Sequence, residues 1–102
     1  LEFELSYENL TGDLTDAHLQ FGQPGVNGGV IAHLCDEVAG CPLGSSGMIT
    51  GHIDADHVDG PTNQGIAPGE FAEVLKAMRA GMTYVNLHST QFPGGEIRGQ
   101  IK

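Results

Sequence analysis

The chain has no tryptophan, only 6% aromatic residues, and four Lys and Arg against thirteen Asp and Glu. A formal charge of −9 argues against nucleic acid as a partner, because gripping a phosphate backbone needs clustered basic side chains. The same charge repels an anionic membrane surface. It suits a soluble protein, or one that draws cations towards it. No apolar run approaches the roughly 20 residues that span a bilayer, so no transmembrane helix is expected. Nucleophile elbow, phosphate loop and dinucleotide fingerprint are all missing. No secretory leader is visible either. However, Leu1 opens abruptly inside a strand pattern, so the start is read as a processing or cleavage boundary, with one or two strands expected before it.

Cysteine is limited to Cys35 and Cys41. Their spacing fits a local disulfide around Asp36-Glu-Val-Ala-Gly and fits no zinc knuckle, which needs closer pairs and further ligands. A disulfide favours a secreted, periplasmic or cell-surface setting. Asn9-Leu10-Thr11 is a glycosylation acceptor pattern, meaningful only in a eukaryotic secretory pathway.

What the chain does have is glycine, sixteen residues of 102, and five prolines. That composition predicts short strands joined by tight turns, in a single domain over 1–102 with one core. Leu1, Phe3, Leu5 and Tyr7 alternate with Glu2, Glu4, Ser6 and Glu8, the pattern of a half-buried antiparallel strand. Further strands are predicted over 15–21, 30–35, 48–53, 82–89 and 96–102. The segment 54–69 reads as a long irregular connection. Phe71, Val74, Leu75 and Met78 recur at helical spacing, Lys76 and Arg79 lie in the last turns, and Gly81 supplies the stop, so one short helix is predicted over about 70–80. The fold class is therefore all-β: an antiparallel Greek-key β-sandwich or partly open barrel with one helix.

Two strand histidines, His18 and His88, are the leading candidate site. His18 shares a face with Gln20, and His88 with Asn86 and Tyr84. If their strands are neighbours, two imidazoles and an amide converge. Neutral imidazole suits copper, zinc and nickel. The plainer reading, ordinary polar-face histidines bonded to neighbours, stays open because no HxH or HxxxH pair is present. His33, in a mostly apolar strand, reads as a partly buried, hydrogen-bonded histidine. His52 and His57 lie near Asp54, Asp56 and Asp59. Calcium-loop spacing fails there because Val58 occupies a ligand position, which leaves a looser cation site or a solvated turn. Glu96, Arg98 and Gln100 alternate with Ile97, Gly99 and Ile101. The first triplet either lines a functional face or forms cross-strand ion pairs and hydrogen bonds that fix register, with Gly99 admitting a bulky neighbour.

The segments Ala17-His-Leu-Gln-Phe-Gly-Gln-Pro-Gly-Val-Asn-Gly-Gly-Val30 and Tyr84-Val-Asn-Leu-His-Ser, with Phe92-Pro-Gly-Gly-Glu-Ile-Arg-Gly-Gln-Ile101 after them, closely resemble the CHRD domain. That family is named for chordin and is widespread in bacterial and archaeal secreted proteins. Val58-Asp-Gly-Pro, Gln64-Gly-Ile and the Cys35/Cys41-Pro pair look like bacterial members. The resemblance implies extracellular binding or scaffolding, with metal binding as an open suggestion. It aligns His18 and His88 with the family's histidines, and puts Gln20 where a second histidine of an Ala-His-Ile-His pattern would stand. The strand histidine, glycine-rich loop and late Val-x-x-His are also distantly similar to Cu/Zn superoxide dismutase. That similarity implies a copper site to which His33 or His52 contributes if the fold brings them near. The expected function is thus an extracytoplasmic domain binding a transition metal, copper before zinc, at His18 and His88. Gln20, His33 and His52 are additional candidates. The alternatives are a copper-dependent dismutase-like enzyme at the same histidines, and an adhesive module whose partner is another protein or a second copy of the chain.

Overall fold

A computed structural model describes residues 1–36, 40–42 and 44–100. Among the described residues, six strands form two antiparallel sheets. β1 (Glu2–Tyr7) pairs with β4 (Gly47–His52). β2 (Leu14–Phe21), β3 (Val30–Cys35), β5 (Thr83–Ser89) and β6 (Ile97–Gln100) make a four-stranded sheet in the order β3-β2-β5-β6. Among the described residues the sheets do not close into a barrel, and a sandwich fits this arrangement. The predicted last strand ends at Gln100; Ile101 and Lys102 lie outside the described residues, as does the 37–39 interior of the cysteine loop.

Alternation in the strands decides which face is dry. Ala17, Leu19 and Leu87 are buried on one side of the larger sheet, and Val85 is half-buried beside them. Tyr7, Leu10, Leu14, Ala17, Cys35, Ile49 and Leu87 form one core cluster. Leu19, Ile31, Ala32, Ile53, Val58, Ile66 and Val74 form a second. Helix α1 (Phe71–Arg79) reaches the second cluster through Val74, which is fully buried, with Phe71 and Met78 packed beside it. Gly81, at φ 72°, ends it in the left-handed region that glycine enters most easily.

The connection 54–69 is more ordered than its composition predicts. It contains two single-turn 3₁₀ helices, Ala55–His57 and Thr62–Gln64. Cys35 and Cys41 are joined in a disulfide. No described helix is long and apolar enough to cross a membrane. β1 and β6 each keep one edge free of a neighbouring described strand. A cavity of about 560 Å³ opens there, lined by all of β1 and by Leu19, Val85, Leu87, Ile97 and Gly99.

Candidate functional site

The outer face of the four-stranded sheet carries the chemistry. β2 and β5 are neighbours, so Asp16 lies opposite His88 and His18 opposite Asn86. On the other side of β2, His18 pairs with His33 of β3. Three imidazoles from three adjacent strands therefore form a row. Ring centroids are 4.6 Å apart for His18 and His33, and 4.8 Å for His18 and His88.

His33 differs from the sequence expectation: it is exposed, its Nε2 3.7 Å from Asp59 Oδ2. The reason is irregular register. The pairs Ala17 with Cys35, His18 with His33, Leu19 with Ala32 and Gln20 with Val30 require two breaks, each placing an extra β3 residue against β2. Such bulges re-aim side chains. They leave His33 on the wet face while Ala32 and Cys35 remain in the core.

The row's electrostatics favour a neutral ring at its centre, His18. Burial pushes the His18 pKa down, the neighbouring His33 and His88 push it further, and Asp16 and Asp36 partly oppose them. His88 Nδ1 lies 2.8 Å from the Pro93 carbonyl. A carbonyl only accepts, so Nδ1 carries a proton and Nε2 is the nitrogen left to face a ligand. Asn86 Nδ2 approaches that Nε2 at 3.4 Å. Gly95, at φ 122°, lets the Pro-Gly-Gly turn sit against Asn86, where a Cβ would come within 3.0 Å of the amide.

Spacing can be tested against ion chemistry. Metal–imidazole bonds of about 2.0–2.1 Å put the ring centres of two ligands about 4.5–5.2 Å apart at angles of about 90–110°. Both observed separations lie in that interval. Side-chain rotation must still aim the nitrogens. Among the described residues, the one trio of potential ligands whose atoms all lie within 4.8 Å of one another is elsewhere: His52, Asp54 and His57.

The other sequence candidates go to other places. Gln20 is on the outer face but is covered by the 22–29 loop. Its Nε2 donates to Gly28 O at 2.8 Å and to Tyr84 Oη at 3.1 Å, while its Oε1 is buried without a partner. Gly28 closes this cover because a Cβ there would collide with the Phe21 carbonyl. His52 ends β4 in the smaller sheet, opposite Glu2 rather than beside His18. Of the expected ion pairs and hydrogen bonds around Glu96 and Arg98, the described residues make hydrogen bonds. The Arg98 guanidinium lies 3.6 Å over the Tyr84 ring and donates to Gln23 O, while both Glu96 oxygens accept from the Thr11 amide. Gly99 has open space at its Cβ position, so it admits no bulky neighbour and lines the cavity instead. Asp16, Asp36 and Asp59 were not singled out as belonging to the His18 row. Only strand order and loop placement bring them there.

Comparison with known proteins gives one match. A family model described as CHRD domain covers residues 1–101. No curated protein and no solved structure matches.

Proposed function

The chain belongs to the CHRD-domain family, and from that premise we propose that it is an extracytoplasmic binding domain for a transition-metal ion held by His18 with His88 and His33. One observation carries the reading: His18 has an imidazole on each side, and each of the two pairs, His18 with His88 and His18 with His33, is at the spacing of rings that share an ion. The Pro93 carbonyl supports it, since metal-binding histidines characteristically donate their other N–H to such a group. Copper is favoured over zinc because it stands highest in divalent affinity for nitrogen sites. The disulfide supports an oxidising compartment.

The test is copper titration followed by NMR and calorimetry. The His18, His33 and His88 ring resonances should shift or broaden with one saturable event. His18→Gln should weaken binding most, because His18 contacts both other rings. Unmoved resonances end the metal reading. The dismutase-like alternative requires copper-loaded protein to remove superoxide faster than the same copper in buffer, and equal rates remove it.

A second reading, protein binding, draws on the apolar cavity beside the free edges of β1 and β6. An added strand would pair with β1 and fill that space. Such association survives chelator, and its loss on chelation counts against this reading.

A further inference from the structure

We propose that His52, Asp54 and His57 form a second, separate cation site, one that takes a borderline divalent ion such as Zn²⁺ with solvent completing the coordination. Two imidazoles and one carboxylate are a donor set suited to zinc, copper or ferrous iron. Here they come from the last residue of β4 and from the 3₁₀ turn that follows. Their ligand atoms lie within 4.8 Å of one another. Asp54 Oδ1 is 3.0 Å from His57 Nδ1, and Asp54 Oδ2 is 3.9 Å from His52 Nε2. The His52 and His57 rings meet edge-on with centroids 5.4 Å apart. All three side chains are about half exposed, so small rotations can close the set around an ion without disturbing the core.

Two of the three ligands are already held. Asp54 Oδ1 accepts the Asp56 amide at 3.0 Å, and His57 Nδ1 accepts the Asp54 amide at 3.1 Å, a reciprocal cap on the 3₁₀ turn. Capping accounts for Asp54 and His57 but not for His52, which takes no part in it. His52 instead points its Nε2 side at the free Asp54 oxygen. Glu2, its cross-strand partner, adds negative charge beside the site, in a chain already at −9, and both favour a cation. Binding through His57 Nδ1 displaces the Asp54 amide from its acceptor, and binding through Nε2 requires the other tautomer, with the proton on Nδ1 facing Asp54 Oδ1 at 3.0 Å.

The experiment is Zn²⁺ titration of the His18→Gln protein, read by amide NMR and calorimetry, so that the sheet-face histidines are already disabled. The expected result is one saturable ion per chain, with shifts at Asp54 and His57. His52→Gln and His57→Gln should each weaken binding about tenfold or more. Asp54→Asn keeps the cap, since asparagine caps as well as aspartate. It should nonetheless weaken zinc by a comparable factor, separating ligation from folding. No saturation up to about 1 mM zinc, or affinity unchanged in both histidine variants, overturns the proposal. His52→Gln in a parent background should leave copper uptake at His18 intact, so failure at either site is visible independently.

Discussion

Removing one oxygen from Tyr84 tests how the glycine-rich loop is held on the functional face. The ring is 1% exposed. Its hydroxyl accepts the Gly28 amide at 2.9 Å and the Gln20 amide at 3.1 Å, and faces Gly28 O at 3.4 Å. Tyr84→Phe retains the ring beneath the Arg98 guanidinium, so the cation–π contact persists. Gln20 Nε2 also keeps its shorter bond to Gly28 O. The Gly28 N–H loses its acceptor in a half-buried position, one Gln20 amide hydrogen loses its partner and the long contact to Gly28 O goes, a combined cost of about 1–2 kcal/mol. For a domain of this size that lowers Tm by roughly 4–16 °C. Thermal unfolding by circular dichroism measures it, and the Gly28 amide should exchange with solvent faster than in the parent. A Tm within about 1 °C of the parent, with Gly28 protection unchanged, would refute the claim that this hydroxyl pins the loop.

Two other outcomes follow from the same physical picture. The His18 pKa lies below its ordinary value of 6.5, so the unfolded chain binds the proton more readily than the folded one. Stability from this group is therefore complete above pH 6.5 and declines as pH falls towards the depressed folded value. Denaturant titrations at stepped pH should show that decline, and His18→Gln should flatten it; an unchanged slope refutes the linkage. Replacing both Cys35 and Cys41 by alanine removes a cross-link of sequence separation 6. The loop-entropy relation gives about 2 kcal/mol for so short a loop, and a midpoint that does not move under denaturant contradicts it.

Much of the architecture was legible because local rules and tertiary packing agree. β1 alternates apolar and acidic residues, and the structure pairs it through its edge with β4 along that whole pattern. The helix was readable from Phe71, Val74 and Met78 because an amphipathic stripe has few other stable uses. Its start at Phe71 has no side-chain cap; the Glu70 carboxylate accepts the Ala67 amide instead. His33 was not legible as an exposed residue. Apolar neighbours on both sides imply burial, and two register breaks move it to the wet face. Nothing in the residues of β3 announces where an extra residue will fall. Gln20 looked like an outward amide available to a site. It is consumed by Gly28 and Tyr84 because the 22–29 loop folds back over that end of the sheet.

Sequence alone determined the class of protein: an acidic, glycine-rich chain of short alternating strands with one helix, a cysteine pair at disulfide spacing, and a family signature along nearly its whole length. These are local properties, set by composition and by period along the backbone. Only the tertiary structure decided which histidines meet. Strand order β3-β2-β5 set His33 and His88 on either side of His18, whereas His52, Asp54 and His57 were already close in the chain and the turn after β4 fixed only their geometry. Distance between residues far apart in the chain depends on sheet order and register, and neither is encoded near the residues they bring together.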